Sequence, residues 1–506
     1  MSSISPGEQI GGDSSLEDIR SRAMAGALKL GVRNVLVRGV GLVGTVVLAR
    51  LLKPADFGLV ALGLSIQLLG NVISSGGLGA ELIRREKPPT HTELRCVLGY
   101  QLLAAFAIAG LASIPAVVIG GQAGFIALFT FSVPIAVLDT PCRIVLSRSL
   151  NWDLIAYSEV AGTLGFNVVA VGLVILGASI WGVAIATIIQ AMIVVGLLVA
   201  IGPVGLPLPQ FSFSTIRPLL RFGLAYQTMV LIDRGRDQAV NILTAAIGGL
   251  ALLGVWSVAY RIFLSIMVVL EALWQVSFPA MTRMLEAGQD ARHMVDRVLR
   301  LNGTAFGFPA VAVAGTAPAL IPTLFGPHFD AAIPVLPWGA AALLLTGPVV
   351  TAGLSFIQAK GDSRGMIHSY LVQTAVWLAL GSFLIPIFGA EGVGMAMFVA
   401  AIALVITIRR TTQKYVPMDF LSVVWPPITA AAIAAVIGWM IASQVNPSIL
   451  GLVTSLIASE CLYLLILFAL RRRDIESLFT TLQMAVRSAS PAKMPVPRPS
   501  PMKEAV

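Results

Sequence analysis

Ionisable side chains inside long apolar stretches are the residues of this chain most able to do chemistry. Charged groups are costly inside a bilayer, so they normally face a water-filled cavity or pair with each other. Arginine suits the binding of phosphate and carboxylate groups, because its planar guanidinium donates two hydrogen bonds and stays protonated. An aspartate at such depth can pair with an arginine or titrate with a coupling ion. These residues are Arg38, Asp233, Arg234, Arg236, Asp237, Arg261 and Glu271.

The positions of these charges predict an ion pair. Asp237 and Arg261 lie equally far along the chain from a turn near Gly249. If the helices on either side of that turn are antiparallel, the two residues lie at the same height and can lock the helices together. The alternative roles are ligand binding by the arginines and ion coupling by Asp233 or Asp237. Arg38 has no acid on its own segment, which favours a solvated cavity for it.

Catalysis and metal binding find little support in the sequence. The histidines and cysteines have neither metal-ligand nor disulfide spacing, and the chain has no Walker-type loop for ATP. We therefore expect no enzyme activity, no catalytic residue, no cofactor and no metal site. The residues concerned are His91, His293, His328, His368, Cys96, Cys142 and Cys461.

The elements that position these charges are predicted to be membrane helices. The mean hydropathy is +0.88, and 12% of the residues are charged, where a soluble protein has about a quarter. A bilayer core needs about twenty apolar residues per helix, and about fourteen such segments follow each other here. The composition predicts an all-α integral membrane protein. The predicted spans are residues 30–52, 57–82, 93–117, 121–142, 154–176, 180–202, 216–246, 250–275, 296–324, 331–358, 365–388, 391–409, 421–443 and 447–470.

Lys and Arg occupy every second gap between the predicted spans. Basic gaps include residues 84–95, 283–297 and 409–414, whereas the intervening gaps hold no Lys or Arg, except Arg50 and Lys53 in the first. By the positive-inside rule the basic gaps face the cytoplasm. An even number of spans then places both termini in the cytoplasm. The net charge of +9 is explained by these loops, and nucleic-acid binding is not expected.

Parts of the chain repeat at constant offsets. Asp56-Phe57-Gly58 corresponds to Leu252-Leu253-Gly254, and Gly177-Ala178 corresponds to Gly389-Ala390. The first offset also relates Arg38 to Arg234, which predicts a guanidinium at comparable depth in each half. Each repeat holds six spans, so the halves share one orientation, as in transporters that rock around a central cavity. The predicted divisions are a cytoplasmic tail at 1–22, a six-helix bundle at 23–205, a linker at 206–215, a second six-helix bundle at 216–412, two additional helices at 413–470, and a basic, proline-rich cytoplasmic tail at 471–506.

Several motifs carry a resemblance to a known family. Residues 48–62 read LARLLKPADFGLVAL and are followed by GLG at 77–79 and LIRR at 82–85. The second half has LGVWSVAYR at 253–261 and FPA at 278–280. The chain resembles the bacterial polysaccharide flippase family, the Wzx-like transporters of the multidrug/oligosaccharidyl-lipid/polysaccharide exporter superfamily. The resemblance covers roughly residues 25–470 and includes the number of spans.

This resemblance implies a transporter in the bacterial cytoplasmic (inner) membrane. It would move polyprenyl-pyrophosphate-linked oligosaccharide units from the cytoplasmic to the outer leaflet by alternating access, for cell-surface or exopolysaccharide synthesis. Its expected partners are this lipid-linked oligosaccharide and membrane lipid; a polysaccharide polymerase or export machinery is left open. The residues expected to bind the pyrophosphate or the glycan in the cavity are Arg38, Arg234, Arg236, Arg261 and Asn241.

Three other functions are weighed against this one. A multidrug exporter of the same superfamily would normally have twelve spans and an acidic cavity, which the extra pair at 421–470 and the basic charge disfavour. A membrane enzyme of polysaccharide assembly usually carries a long outer loop or a soluble catalytic part, and every outer loop here is short. A purely structural scaffold would not need charges buried in its spans.

Overall fold

The fold is entirely helical over the residues that the computed structural model describes, which are 39–119, 122–286, 288, 290–416 and 420–489. No strand occurs among these residues, and Arg38 and the predicted tail at 1–22 lie outside them. The helices of the first part are α1 Gly39–Leu51, α2 Pro54–Ser75, α3 Leu78–Arg84, α4 His91–Ile119, α5 Gln122–Val137, α6 Thr140–Arg148, α7 Asp153–Leu173 and α8 Ser179–Ile201. Those that follow are α9 Phe213–Glu286, α10 Ala291–Leu324, α11 Val335–Val349, α12 Ser355–Ala359, α13 Ser363–Phe388, α14 Ala390–Gln413, α15 Phe420–Gln444 and α16 Ile449–Ala489.

Many of these helices have the length and composition of membrane spans. Within the described residues, ten helical stretches are long and apolar enough to cross a bilayer, or eleven if the bent pair α5–α6 forms one span. The prediction of an all-α membrane protein is therefore confirmed. Two of the ten stretches, 153–201 and 234–267, each contain a break within the helix, so stretches and spans do not correspond one to one. The number of fourteen spans therefore stays a prediction.

Both breaks lie at glycines with positive φ. Gly177 has φ 90° between α7 and α8, and Gly249 has φ 81° within α9. A straight helix of the 74 residues of α9 would be about 110 Å long, far more than a bilayer core of about 30 Å. The chain reverses at Gly249, since side chains on either side of it bond to each other, Trp256 with Asn241 and Tyr260 with Asp237. We call residues 213–248 and 250–286 the two arms of α9. They correspond to the predicted seventh and eighth spans.

Two predicted spans are interrupted. The second ends at Gly76 and Gly77, both with positive φ, and continues as the separate helix α3. A Cβ on Gly77 would lie 2.1 Å from the carbonyl oxygen of Gly223 in α9, so only glycine permits this close contact. The fourth span bends by 48° between α5 and α6. The hydropathy of these spans is continuous, which is why the sequence pattern did not indicate either break.

One large apolar core joins most of the helices. It runs from Leu48 in α1 through Phe129 in α5 and Trp256 in α9 to Tyr463 in α16. Trp256 is only 1% exposed, and its ring contacts the rings of Tyr260, Phe263 and Trp377. This core holds α1 and α2 against both arms of α9, and the polar site lies along the same contact.

The predicted linker at 206–215 lies across the start of α4. Leu208 O accepts a hydrogen bond of 2.9 Å from Arg95 Nε, and the Gln210 amide donates to Arg95 O at 3.1 Å. A Cβ on Gly99 would lie 2.5 Å from Gln210 O, so this glycine permits the crossing. The helix α9 begins at Phe213, inside the predicted linker.

The predicted C-terminal tail begins within a helix. Residue 471 was expected to start the tail, but α16 continues without a break to Ala489. The apolar part of this helix ends at Leu470, so the helix extends beyond the membrane stretch. Residues 490–506 lie outside the described part of the chain.

Candidate functional site

A belt of polar side chains crosses the contact between α1–α2 and α9. We call it the polar belt. Its side chains form hydrogen bonds with one another, and most of these bonds join different helices or the two arms of α9. Charged and polar groups at this depth need partners or water, so the partner of each member shows what it can do. The members are Thr45, Ser65, Arg236, Asp237, Asn241, Trp256, Tyr260, Arg261 and Gln373.

Asp237 is in an ion pair, but its partner is not the one predicted. Its Oδ1 accepts a hydrogen bond of 2.9 Å from Nε of the neighbouring Arg236, and its Oδ2 accepts one of 2.6 Å from the Tyr260 hydroxyl. Arg236 also donates to Gln373 Oε1 on α13 at 2.9 Å. The predicted pair of Asp237 with Arg261 is therefore wrong. The predicted height was right, since Asp237 meets Tyr260, one residue before Arg261. Successive residues are rotated by about 100° around a helix, so Arg261 faces a different direction from Tyr260.

Arg261 points to α1 instead. Its Nη1 donates a hydrogen bond of 2.7 Å to Thr45 Oγ1, and its guanidinium lies 5.7 Å from the ring centre of Phe57. Among the described residues no carboxylate forms a salt bridge with it, in contrast to Arg236. The Arg261 side chain is partly exposed, and its remaining N–H groups can donate to another molecule. Within the described part of the chain it is thus a cation without a carboxylate partner, where α1 meets α9.

Asn241 connects α2 to both arms of α9. Its Nδ2 donates to Ser65 Oγ at 3.0 Å, and its Oδ1 accepts from Trp256 Nε1 at 3.1 Å. Both ends of its amide are used in these contacts. The sequence placed Asn241 in a ligand-binding cavity, which remains a prediction; the contacts give it a role in holding the helices together.

The contacts across this region are reciprocal. The offset of 196 residues that relates Asp56 to Leu252 also relates Thr45 to Asn241 and Ser65 to Arg261. The bond from Arg261 to Thr45 and the bond from Asn241 to Ser65 therefore join equivalent positions. Two related elements that contact each other about a two-fold axis make such paired contacts.

The same reciprocity holds for the backbone at a pair of glycines. A Cβ on Gly58 would lie 1.8 Å from Leu250 O, and a Cβ on Gly254 would lie 1.9 Å from Pro54 O. Gly58 and Pro54 are related to Gly254 and Leu250 by the same offset. These glycines let α2 and the second arm of α9 touch backbone to backbone. The bundle limits 23–205 and 216–412 remain predictions.

The other predicted site residues are not among the described members of the polar belt. Arg234 is exposed and lies two residues before Arg236 on α9. Asp233 and Glu271 lie in the same helix, and their side chains are outside the described structure. Arg38 is also outside the described residues. The structure thus brings together Arg236, Asp237, Asn241 and Arg261, but in separate contacts.

A second set of contacts joins α2 to α9 near the end of α2. Gln227 donates to Val72 O through Nε2, and its Oε1 accepts from Ser75 Oγ at 3.2 Å. The Arg84 guanidinium lies 4.5 Å from the ring centre of Phe222. We call these the inner contacts, because the basic loop that follows them is predicted to face the cytoplasm.

Arg50 joins α1 to α10 at the opposite end. Its guanidinium donates to Leu324 O at 2.9 Å and to Thr323 O, the carbonyls at the C-terminus of α10. A cation is favourable at a helix C-terminus, where carbonyl groups lack partners. The contact accounts for an arginine in a gap that the positive-inside rule leaves uncharged. That exception was the sequence signal for the contact, although the spacing of residues does not indicate which groups Arg50 meets.

The Arg50 contact borders a cavity of about 450 Å³. We call it the outer cavity, because its loops belong to the gaps that are predicted to face away from the cytoplasm. Its walls come from α1, from the end of α10 and from the start of α16. The lining residues are Val46, Arg50, Pro322, Thr323, Leu324, Pro447, Ser448 and Ile449.

Sequence comparisons identify relatives of this chain. Residues 47–334 match the sequence profile of the family described as polysaccharide biosynthesis protein. The chain is 24% identical over 332 residues to the lipopolysaccharide biosynthesis protein WzxC of Escherichia coli (strain K12). This match covers 63% of the chain and 66% of WzxC. It is 28% identical over 345 residues to the succinoglycan biosynthesis transport protein ExoT of Rhizobium meliloti (strain 1021), with 65% and 67% covered. The matches thus span about two thirds of these relatives.

Solved structures share the fold. The lipid II flippase MurJ in an inward closed conformation superposes with a TM-score of 0.71 at 12% identity, covering 88% of this chain and 99% of that one. An inward-facing multidrug resistance MATE family transporter of the MOP superfamily gives a TM-score of 0.55 at 15% identity, with 77% and 98% covered. At such identities the likeness concerns the fold alone.

Proposed function

This chain belongs to the polysaccharide biosynthesis protein family, and on that premise we propose that it is a flippase for polyprenyl-pyrophosphate-linked oligosaccharides. It would move the pyrophosphate and the sugars from the cytoplasmic to the outer leaflet while the polyprenyl chain stays in the bilayer. The names of the two relatives, which place them in lipopolysaccharide and succinoglycan biosynthesis, support this substrate class.

The observation that carries the proposal is Arg261, for which the described residues supply no carboxylate partner. A guanidinium deep in a membrane protein without a carboxylate partner has a cost that an anion or water must offset. Its fork of N–H groups can donate two parallel hydrogen bonds to a diphosphate. Arg261 lies where α1 and α9 meet, which is where a cavity between two rocking halves would open.

The other arginines have different roles in this proposal. Arg236 is neutralised by Asp237 and held by Gln373, so we assign it to the packing of α9 against α13. Arg234 is exposed and free to meet the diphosphate as it enters. We assign Arg38 the same role as Arg234 only because the repeat relates the two positions. Asp233 is left as the candidate for ion coupling on α9, because Asp237 is already in an ion pair.

Alternating access would work through the contacts at the two ends. The inner contacts at Gln227 and the outer contact at Arg50 both join the first half to the second. If the halves rock about the polar belt, one set opens while the other stays closed. Hydroxyl and amide groups of the belt would then be free to bond the glycan.

The experiment is translocation of a fluorescent polyprenyl-diphosphate oligosaccharide in vesicles that contain the purified protein. We expect wild-type protein to expose the label to an impermeant quencher on the opposite side. R261Q should lose this activity, and R261K should retain part of it, since lysine keeps the charge but not the fork. The matched control is R364Q, the same change at an exposed arginine at the start of α13.

A parallel measurement separates the main alternative, a multidrug exporter. Cells that produce the protein should not extrude cationic dyes faster than cells that lack it, because Arg261 and Arg234 repel cations. Dye extrusion together with absent lipid translocation would refute the flippase and favour the exporter. Normal translocation by R261Q would leave the flippase standing but remove Arg261 from its site.

A further inference from the structure

A single carboxyl group lies in the middle of the hairpin formed by α15 and α16. From residue 420 to residue 470, Glu460 is the only Asp, Glu, Lys, Arg or His. The membrane stretch of α16 runs from Ile449 to Leu470, so Glu460 lies about 15 Å from either end at 1.5 Å per residue. An ionisable residue at the centre of a span indicates a functional site.

Glu460 lies at the edge of the packed face of α16. That face consists of Gly451, Ser455, Ser459, Tyr463 and Leu467, which are all buried and four residues apart. Glu460 is only partly buried, and its neighbour Cys461 is exposed. One of its carboxyl oxygens, Oε2, is nevertheless sealed from solvent and has no hydrogen-bond partner among the described residues.

The adjoining helices, as far as the structure describes them, offer this carboxyl no charged partner. The Tyr463 hydroxyl bonds to Thr304 O, and Ser459 lies against Gly315, which places Glu460 level with residues 304–315 of α10. The charged residues of α10 all lie at 292–300, nearer the inner end. The other neighbour, α15, has none. The nearby hydroxyls of Tyr463 and Ser459 already donate to the carbonyls of Thr304 and Ser455.

If Glu460 were anionic here, the described residues would offer its carboxylate no cation, and its sealed oxygen Oε2 no donor. The neutral acid avoids that cost, because it carries no charge and needs fewer hydrogen bonds. We propose that Glu460 is a proton-binding site, occupied while α16 is packed as seen here. The proton would pass to water when α16 shifts and its carboxyl becomes hydrated, and a proton from water would restore the acid afterwards.

The outer cavity places the start of α16, the helix that carries Glu460, beside the contact between the halves. Ser448 and Ile449, at the start of α16, line the same cavity as Arg50 of α1 and the end of α10. An outward opening that separates Arg50 from Leu324 O therefore changes the surroundings of the first turn of α16. This last step rests on the proposed flippase function: proton binding at Glu460 would be coupled to the opening and closing of the halves.

Carbodiimide labelling tests the proton site without any transport measurement. Dicyclohexylcarbodiimide adds to protonated carboxyls in apolar surroundings, and mass spectrometry of the purified protein in lipid vesicles locates the adduct. We expect an adduct on Glu460 that declines at alkaline pH and is lost in E460Q. The matched control is E391Q, the same change at a glutamate on another helix, α14, whose carboxyl accepts a hydrogen bond from Trp338 Nε1. E391Q should keep the Glu460 adduct.

The neighbouring thiol shows whether reagents reach this part of the membrane. Cys461 is exposed next to Glu460, and an apolar maleimide should modify it in the same sample. If Cys461 is modified while Glu460 never reacts with carbodiimide, the proton site is refuted. An adduct on Glu460 that does not change with pH refutes it as well.

Vesicle translocation under an imposed pH gradient tests the coupling. Wild-type translocation should change its rate with the gradient, and E460Q, which mimics the neutral acid, should lose this response. A response in E460Q equal to that of wild type would refute the coupling. If wild-type protein moves no lipid at all, the proposed function fails, and the labelling result alone then decides the proton site.

Discussion

Replacing Asp237 and replacing Arg261 should have different consequences, because Asp237 is in an ion pair and Arg261 has no carboxylate partner among the residues that the structure describes. D237N removes the partner of Arg236 and leaves a mostly buried cation that still contacts the Gln373 amide and the ring of Trp377. Breaking a buried ion pair costs about 3–5 kcal/mol, and a lone charge at the centre of a span costs about 2.5–3.5 kcal/mol. R261Q removes a charge that has no carboxylate partner among the described residues and loses one hydrogen bond to Thr45.

The expected difference is large enough to measure. Hydrogen bonds between membrane helices average about 0.6 kcal/mol, so R261Q should change the folded fraction little. A loss of about 3 kcal/mol for D237N changes the folding equilibrium by roughly a hundredfold. The assay is the amount of monodisperse protein extracted from membranes, with its thermal unfolding, beside lipid translocation. D237N should lower the amount of folded protein, whereas R261Q should keep the protein and lose translocation.

Double variants test the assignment of partners. D237N combined with R236Q should restore folded protein, because neither member of the pair is then left charged without the other. D237N combined with R261Q should not, because these two residues do not meet. If the second combination restores folding and the first does not, the partners are wrong. If R261Q itself lowers the folded fraction as much as D237N, Arg261 is structural and the reasoning fails.

Three further outcomes are expected. G58A should strongly lower the amount of folded protein, since the added Cβ would lie 1.8 Å from Leu250 O. G172A is the control and should not lower it, since a Cβ there has no atom within 4 Å. Equal amounts of the two folded variants would refute the close contact. R50Q should open the contact of α1 with α10. In a background without other cysteines, it should therefore increase the labelling of a cysteine at position 448 by an impermeant maleimide. Unchanged labelling would show that Arg50 does not close the outer cavity. Reporter fusions should place three loops in the cytoplasm, and an outer position for any of them would contradict the orientation. These loops are residues 84–92, 283–292 and 409–418.

The class of the protein could be predicted from composition because a bilayer imposes the same demand on every span. Backbone polar groups must be satisfied within the membrane, so long apolar segments become helices regardless of their neighbours. The repeat was equally visible, and its first offset relates the positions that make reciprocal contacts, Thr45 with Arg261 and Asn241 with Ser65. Local sequence thus determined the helices and which positions correspond.

Only the tertiary structure decided which side chains meet. Asp237 and Arg261 were expected to pair on grounds of height, but the rotation of each helix about its axis turned Asp237 to Tyr260 and Arg261 to Thr45. Arg50 could be noticed as an exception, yet its partners are carbonyls 273 and 274 residues away. Glu460 became conspicuous once its described neighbours were known to lack any charge. Sequence spacing measures distance along a helix, whereas a partner depends on helix rotation and packing, which are set by side chains far apart in the chain.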